Sequence, residues 1–319
     1  MSEKRVKDFY TGYVRKEWNR LIRDAYHRLE FETTLHYLEK DLPKSGRILD
    51  AGGGPGRYTL ELARRGYDVT LLDLTPANLE FARRQIRRAG LLDRVEQVVE
   101  GSIGDLSIFP DNAFDAVICL GGPLSHILDR RKRDRAIKEL LRVAKKRAPL
   151  FISVISRFGT LVVELGPRFQ HEIGERFFRP LRDTGDYPGG SGFTTCHFFL
   201  PEELENAFRS KGVIILEMAG LEGMGSHHRR EINQLARNPK RWRVWMETHY
   251  RTCTHPSVVG MSEHMLIVCR KTRSKKPASP RIRNRYVMRP EKSGSNKFPT
   301  LVRGERLAAV HPARVRRHE

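Results

Sequence analysis

The chain has 319 residues, 39% of them hydrophobic and 30% charged, so it is long enough for one α/β domain of about 250 residues with additional segments. No apolar run approaches the roughly 18 residues of a membrane span, and the N-terminus shows no apolar stretch typical of a signal peptide. Lys and Arg exceed Asp and Glu by 21, and the four cysteines form no C-x-x-C pair. We therefore expect a basic, reduced, cytoplasmic protein.

Residues 1–46 are predicted to be largely helical, with the helical pattern running from about 5 to 42. Aromatic and leucine side chains alternate with charged residues in this segment: Phe9, Tyr10, Tyr13, Trp18, Tyr26 and Leu29. One interpretation is an amphipathic helix that packs these side chains against the domain that follows.

A glycine-rich loop comes next and is the most informative feature of the sequence. Arg47–Ala51 is typical of a short buried strand with Asp50 at its carboxyl end, and helical spacing resumes at Tyr58. The glycines between them allow a sharp turn and a close approach of the backbone to a ligand. The spacing D-x-G-x-G-x-G differs from the dinucleotide pattern G-x-G-x-x-G, because Arg57 stands where the third glycine would be. The P-loop pattern is also absent. We expect a nucleotide-like ligand at this loop.

The second predicted strand, Tyr67–Asp73, ends in an acid 23 residues after Asp50. A carboxylate at this distance can accept hydrogen bonds from both hydroxyls of a ribose. A helix over 76–89 follows, and the remaining apolar runs predict five further strands, at 94–101, 114–120, 149–155, 213–218 and 264–269. Strands alternating with amphipathic helices predict an α/β fold with a parallel, doubly wound, Rossmann-like sheet of seven strands.

Two segments are too long for ordinary loops of such a sheet. We expect residues 47–156 to form the ligand-binding core and residues 157–192 to form a cap insertion rich in aromatic residues and glycine. Residues 193–270 are predicted to complete the core, with a largely helical insertion at about 221–260.

The strand, the glycine loop, the following helix and the acid-ended second strand together resemble the class I S-adenosylmethionine (SAM)-dependent methyltransferases. The resemblance covers about residues 5–270, is closest to the type 11 group of small-molecule methyltransferases, and implies SAM as the cofactor. It implies that Asp50 and Gly52 line the methionine side and that Asp73 binds the ribose. Many members have an acid after the third strand that contacts the adenine amino group. Ser102 stands there in this chain, and Ile103 can pack on the adenine. The complete set of cofactor residues expected on this basis is Asp50, Gly52, Gly54, Gly56, Asp73, Leu74, Ser102, Ile103 and Leu120.

In similar methyltransferases an N-terminal helix closes over the cofactor and the substrate. Residues 1–46 therefore have two interpretations, a helical lid or a helix that only packs on the domain. With the insertions at 157–192 and 221–260, the lid interpretation predicts an active site capped by helices.

Methyl transfer requires alignment of the acceptor, exclusion of water and, for an amine or hydroxyl, a group that takes its proton. His126, in the loop after the fourth strand, is the first candidate for this group, and His197 is the second. Each histidine has an alternative interpretation as a structural residue bonded to the backbone or capping a helix. The Cys196–His197 and Cys253-Thr-His255 pairs lack the spacing of a structural zinc site, so we expect no metal.

The acceptor is expected to be a small molecule. The loop after the fourth strand carries neither the Asn/Asp-Pro-Pro-Tyr/Phe pattern of amino-group methylation nor the Pro-Cys or Thr-Cys pair of RNA cytosine enzymes. Two alternatives stay open, a tRNA or rRNA methyltransferase and a non-catalytic SAM-fold binding protein.

The RNA alternative depends on the basic tail, residues 271–319. Residues 270–319 carry 16 basic and 3 acidic side chains and little hydrophobic periodicity. The tail is therefore predicted to be disordered. It could bind phosphate backbones in a salt-sensitive manner, or be a solvated extension only.

Overall fold

The computed structural model describes residues 2–190 and 192–272, which contain one large sheet and one two-stranded sheet. The strands are β1 Arg47–Ala51, β2 Asp68–Asp73, β3 Val95–Glu100, β4 Ala116–Cys119, β5 Pro149–Ile155, β6 Asp186–Tyr187, β7 Cys196–His197, β8 Val213–Gly220 and β9 His264–Lys271. The large sheet has seven strands in the order β3-β2-β1-β4-β5-β9-β8, and β6 pairs with β7. The fold is the α/β, Rossmann-like fold that the sequence predicts.

Helices cover both faces of this sheet and add the insertions. They are α1 Ser2–Thr11, α2 Val14–Arg20, α3 Ala25–Asp41, α4 Arg57–Arg64, α5 Pro76–Arg88, α6 Arg130–Val143, α7 Arg157–Glu164, α8 Phe178–Thr184, α9 Pro201–Arg209, α10 Arg229–Leu235, α11 Pro239–Thr252 and α12 Pro256–Val259. Short 3-10 turns occupy Leu92–Arg94, Pro123–His126, Gln170–Glu172 and Gly223–Gly225. No helix in the described part of the chain is both long and apolar enough to cross a bilayer.

The sheet is mixed, so the expectation of an entirely parallel sheet is wrong for its last strand. β9 is antiparallel to both of its neighbours, β5 and β8. The central residues of β5 and β9 are buried, so both strands appear in the sequence as continuous apolar runs. Such a run does not reveal strand direction, because side chains on both faces are apolar in either case. Cys119 in β4 and Cys269 in β9 are buried free thiols.

The N-terminal segment consists of separate helices, whereas the sequence predicts a nearly continuous helical region. α1 and α2 are separated at Gly12 and Tyr13, and α3 begins after Asp24, whose side chain accepts a hydrogen bond from the backbone NH of His27 at 3.1 Å. This is an N-cap, which fixes where a helix starts. The breaks allow α1 and α2 to cross the edge of the sheet while α3 packs beside it.

The carboxyl ends of the parallel strands β1–β4 lie at one edge of the sheet, and the loops that follow them meet there. Ligands of open α/β sheets bind at this edge. The cap predicted at 157–192 contains α7, α8 and β6, and the insertion predicted at 221–260 contains α10, α11 and α12. Lys271 is the last residue of β9, and the remainder of the predicted disordered tail, residues 273–319, lies outside the described residues.

Candidate functional site

A cavity lies at the carboxyl edge of β1, β2, β3 and β4, and the N-terminal helices form its outer wall. On the core side its wall contains Gly52, Gly53, Gly54, Asp73, Leu74, Asn78, Ser102, Ile103 and Leu120. On the helical side it contains Glu3, Val6, Tyr10, Glu17, Arg20 and Leu21. Three of the residues predicted from the sequence for the site, Asp50, Gly56 and His197, lie away from this wall.

The glycine loop brings backbone atoms directly to the cavity. Gly52 has φ +78°, and a Cβ at this position would lie 2.5 Å from Cγ of Pro123. Its NH donates to the Leu72 carbonyl oxygen at 2.7 Å, which ties the loop to the end of β2. Gly54 and Gly56 also have positive φ, and Gly56 faces Ala82 of α5 rather than the cavity. A side chain at Gly52 would therefore displace the loop after β4, whereas Gly56 allows close packing of two helices.

Asp50 lies behind the loop. Its side chain is fully buried, and Oδ2 accepts a hydrogen bond from Thr59 Oγ1 at 2.6 Å. Burial raises the pKa of Asp50 to about 7, against the opposing effect of the Thr59 hydrogen bond. A Cβ added to Gly53 would lie 2.5 Å from the Asp50 carboxyl group. Asp50 thus supports the loop from beneath, and direct contact of its side chain with the methionine side stays a prediction.

Asp73 lies at the end of β2 and faces the cavity. Its Oδ2 accepts from the NH of Gly54 at 2.9 Å, and its Oδ1 accepts from the NH of Thr75 at 2.8 Å and from Asn78 Nδ2 at 3.1 Å. Burial raises the pKa of Asp73, while these hydrogen bonds act against that rise. Asp73 thus presents a hydrogen-bonded carboxylate to the cavity, and its contact with a ribose hydroxyl stays a prediction.

One part of the cavity wall on the core side is apolar. Leu74, Ile103 and Leu120 line it, and Ile103 and Leu120 are almost fully buried. Ser102 Oγ donates to Glu3 Oε1 at 2.9 Å, so a carboxylate from α1 lies beside the position where many relatives carry an acid. The sequence reasoning missed Glu3, because its partner lies 99 residues away along the chain.

Both ring nitrogens of His126 make hydrogen bonds. Its Nδ1 lies 2.9 Å from the Thr195 carbonyl oxygen, which can only accept, so Nδ1 carries the proton. Burial lowers the pKa of His126, which keeps the ring neutral, and Nε2 accepts from the Tyr10 hydroxyl at 2.9 Å. Tyr10 lines the cavity, and burial raises the pKa of its hydroxyl. The sequence singles out His126 but gives no sign that Tyr10, 116 residues earlier, is its partner.

His197 lies in β7, away from the cavity wall that contains His126. Its Nδ1 lies 2.6 Å from Asp186 Oδ1 and its Nε2 lies 2.6 Å from Glu203 Oε1. These contacts join β7 to β6 and to the first turn of α9. His197 therefore bridges three elements, and the structural interpretation fits its position better than a role in proton transfer.

One group of potential metal ligands occurs among the described residues, formed by Glu30, Glu222 and His264. Its ligand atoms lie within 4.8 Å of one another. Glu30 is paired with Arg20, and Glu222 Oε1 lies 2.7 Å from His264 Nδ1. Although burial alone would lower it, the charges of Glu30 and Glu222 raise the pKa of His264 to about 9. The contacts of Glu30 with Arg20 and of Glu222 with His264 make this group an ion-pair network in the structure.

Comparison with known proteins agrees with this geometry. A family model described as a methyltransferase domain matches residues 48–147. A ubiquinone biosynthesis O-methyltransferase of Xylella fastidiosa is 32% identical over 157 residues, which are 46% of this chain and 61% of the relative. A glycine/sarcosine N-methyltransferase of Aphanothece halophytica is 27% identical over 165 residues, which are 51% of this chain and 59% of the relative. The matches thus span about three fifths of each relative.

The solved structures support the same fold. A SAM-dependent methyltransferase of Methanosarcina mazei superposes with a TM-score of 0.53 at 21% identity, over 74% of this chain and 97% of that chain. The fold, the glycine loop and Asp73 define a nucleotide-binding α/β domain of the methyltransferase type. Residues 48–147 match a methyltransferase domain, and the chain is similar to class I SAM-dependent methyltransferases of the type 11 group.

The cavity fits the cofactor of this family, SAM. Two residues of the cavity wall have a buried polar atom, Asn78 Oδ1 and Arg57 Nε. Neither atom has a hydrogen-bond partner among the described residues. A buried polar atom that makes no hydrogen bond lowers the stability of the protein, so these two atoms favour a polar ligand in the cavity. The glycine backbone and Asp73 offer the small, polar surface that a nucleoside requires, and Ile103 with Leu74 offers an apolar face for its base.

Proposed function

We propose that this protein transfers the methyl group of SAM to a small-molecule acceptor held beneath a lid formed by α1 and α2. The observation that carries the proposal is the set of contacts made by α1. Glu3 meets Ser102 on the core, Arg5 Nη1 donates to the Pro188 carbonyl oxygen in the cap at 2.9 Å, and Tyr10 meets His126. One helix thus bridges the cofactor wall and the cap across the mouth of the cavity.

Aromatic rings close the same end of the cavity. Phe9 contacts Tyr10, Tyr13 and Phe193, with ring centroids 5.1 to 5.7 Å apart, and Phe193 contacts His126. These rings exclude water from the region next to His126 without adding charge. Water exclusion and alignment are the main requirements of an in-line displacement at a methyl carbon.

Bound SAM supplies a methyl group on a positively charged sulfur, which makes that carbon electrophilic. The protein then has to take the proton that an amine or hydroxyl acceptor loses. In our proposal the acceptor gives this proton to the Tyr10 oxygen, while the Tyr10 hydroxyl proton moves to Nε2 of His126. The pair thereby accepts one proton, and Thr195 holds the ring in the orientation that exposes Nε2 to Tyr10.

The relatives' names indicate which acceptors to test first. One is named for ubiquinone biosynthesis and O-methylation, and the other for N-methylation of glycine and sarcosine. Both act on small molecules, but on different atoms. We accordingly propose a small-molecule acceptor and leave the class of methylated atom to the experiment.

The test is incubation of the full chain with methyl-labelled SAM and a fractionated metabolite extract, together with a phenol and a secondary amine as defined probes. We expect label in a low-molecular-mass product and loss of that label in a His126→Asn variant that still binds SAM by calorimetry. Label found only in RNA or protein fractions would overturn the small-molecule proposal. Absence of SAM binding to the wild type would overturn the methyltransferase proposal itself.

The RNA alternative depends on residues 271–319, of which 273–319 lie outside the described residues. No observation on the described part of the chain favours it. Binding of total RNA to the full chain and to residues 1–270, over a salt series, separates tail-driven binding from specific recognition.

A further inference from the structure

A second cavity lies against α2, which contributes residues to the walls of both cavities. Its volume is about 630 Å³, within the range of sites that bind small molecules. The start of α3 and the start of β9 form the rest of its wall, and Arg20 lies in the wall of both cavities. Neither Tyr10 nor His126 lines the second cavity, so a ligand in it would lie outside the proposed proton path.

The inner end of the second cavity carries more negative charge than its own cations neutralise. Three carboxylates line it, those of Glu30, Glu222 and Glu263. Arg20 bonds both oxygens of Glu30, and His264 Nδ1 lies 2.7 Å from Glu222 Oε1. These two pairs use both cations of the inner wall, so Glu263 is left without a cationic partner among the described residues.

Glu263 has one carboxylate oxygen available to a ligand. Its Oε1 accepts a hydrogen bond from the Tyr26 hydroxyl, and His227 Nδ1 lies 3.5 Å from the same oxygen. Burial lowers the pKa of His227, so that ring is neutral at pH 7. Burial and then the charge of Glu222 raise the pKa of Glu263, and no group in the described part of the chain donates to its Oε2. An ammonium group would stabilise the ionised carboxylate and donate hydrogen bonds to this oxygen.

The outer rim of the second cavity has the opposite charge. Arg15, Lys16 and Arg23 line it and are exposed, and none of the three forms an ion pair with a carboxylate of the described residues. Lys16 Nζ lies 5.3 Å from the centroid of the Tyr13 ring, and Arg23 contacts the His27 ring. The rim therefore offers cations to an acidic group, such as a carboxylate or a phosphate, at the outer end of a ligand.

We propose that the second cavity binds a small zwitterionic molecule, with its ammonium group at Glu263 and its acidic group at Arg15 and Arg23. A ligand with only a positive charge would leave the rim without a partner, and a ligand with only a negative charge would leave Glu263 without one. The site is separate from the proposed reaction centre, and its occupation does not require SAM.

Calorimetry on the full chain, without SAM, tests the site with three probes of the same chain length. They are 6-aminohexanoate, which has both charged groups, hexylamine, which has only the ammonium group, and hexanoate, which has only the carboxylate. The wild type should bind 6-aminohexanoate about tenfold or more tighter than either of the others, because only this probe reaches both ends. Equal affinities for 6-aminohexanoate and hexylamine, or no binding of 6-aminohexanoate, would overturn the inference.

Glu263→Gln tests the inner end. It removes the charge and keeps an oxygen that can accept from the Tyr26 hydroxyl. Binding of 6-aminohexanoate and of hexylamine should weaken about tenfold, while the affinity for hexanoate stays within about threefold of wild type. Glu231→Gln, at an exposed position of α10 outside the cavity wall, is the matched control and should change none of the three affinities.

Arg15→Gln combined with Arg23→Gln tests the rim. Binding of 6-aminohexanoate and of hexanoate should weaken about threefold or more, a small factor because the charges are exposed, and the affinity for hexylamine should not fall. The control combines Arg230→Gln with Arg237→Gln, two exposed positions outside the cavity wall. If Glu263→Gln fails to fold, the rim variant still decides, and equal losses for all three probes would contradict the inference.

Two further measurements separate this site from the proposed function. Incubation with methyl-labelled SAM should leave 6-aminohexanoate unlabelled, and label in this probe would instead place the acceptor in the second cavity and refute a separate site. SAM is titrated on its own into the same protein. Absence of SAM binding would remove the proposed function and leave this inference standing, whereas binding of SAM without binding of 6-aminohexanoate would do the reverse.

Discussion

The two walls of the cavity are built in different ways. The core wall places backbone amides and one carboxylate, Asp73, at strand ends that the sheet fixes. The wall formed by α1 and α2 consists of side chains, among them Glu3, Tyr10, Glu17 and Arg20. A sheet holds its strand ends rigidly, whereas two short helices at the N-terminus depend on their contacts for position. In our proposal the core wall binds the nucleoside, and the helices add charge, closure and a proton path.

The largest expected effect comes from Gly52→Ala. The added Cβ would lie 2.5 Å from Pro123 and would force the glycine loop away from the loop after β4. We expect SAM affinity to fall more than about a hundredfold and the free energy of unfolding to fall by about 1–2 kcal/mol, since alanine is strained at positive φ. Calorimetry and urea unfolding measure the two quantities.

Gly66→Ala is the control that separates backbone strain at positive φ from a steric clash with a neighbouring side chain. Gly66 has φ +89°, but an added Cβ would meet no atom within 4 Å. This control should lose similar stability and keep wild-type SAM affinity. If both variants lose SAM binding equally, the loop contributes stability rather than a binding surface.

Asp73→Asn is expected to have the next largest effect. It replaces one acceptor oxygen by an amide group that donates hydrogen bonds. The NH groups of Gly54 and Thr75, which donate to the carboxylate, then compete for the single oxygen that remains. We expect about a ten- to hundredfold loss of affinity for SAM and the same loss for 5′-methylthioadenosine, because both contain the ribose. Asp68→Asn, at the half-buried start of the same strand, is the control and should change neither affinity. A loss for SAM without a loss for 5′-methylthioadenosine would contradict the ribose assignment.

Tyr10→Phe should affect transfer more than cofactor binding. It removes the hydroxyl that bonds His126 Nε2 but keeps the aromatic contact with Phe9. We expect kcat to fall about tenfold or more, the lower range for loss of an acid–base group, with SAM affinity within about threefold. Tyr13→Phe, which keeps the ring stacked on Phe9, is the control. Equal kcat values for the two variants would rule out the proposed proton path.

The pH dependence of transfer tests the same pair. Burial lowers the pKa of His126 below its usual 6.5, so the neutral ring that can take a proton persists below that pH. The wild-type kcat should therefore be retained as pH falls to 6.5 and decline only as pH falls through the lowered value. The free energy of unfolding should also decrease as pH falls below 6.5, because the unfolded chain binds this proton more readily than the folded one. A half-maximal rate at or above pH 6.5 would contradict the role of His126.

The core wall could be predicted from the sequence and most of the helical wall could not. Gly52, Gly54 and Asp73 lie within one strand–loop–helix–strand unit, and local spacing is enough to place them. Glu17 and Arg20 form a pair at i and i+3 on α2, but such pairs are common on solvated helices and carry no sign of a ligand. The contact of Arg20 with Glu30 on α3 joins two separate helices, and the spacing of the sequence does not predict it. The contacts of His197 with Asp186 and Glu203 could not be predicted from the sequence either, and they favour its structural interpretation, while its role in proton transfer stays a prediction.

The smallest expected effect lies where the two walls meet over the base. Ser102→Ala removes the hydroxyl that donates to Glu3 Oε1 at an exposed position, so the loss in SAM affinity should be only about two- to fivefold. Ser107→Ala, in the same loop, is the control and should have no effect. Ser102→Asp sharpens the result, because it places a second carboxylate beside Glu3 and should weaken SAM binding more than alanine does, unless Glu3→Gln is added. If Ser102→Asp instead strengthens SAM binding with Glu3 intact, the adenine contact belongs to the core wall alone, and α1 closes the cavity without contributing to recognition of the base.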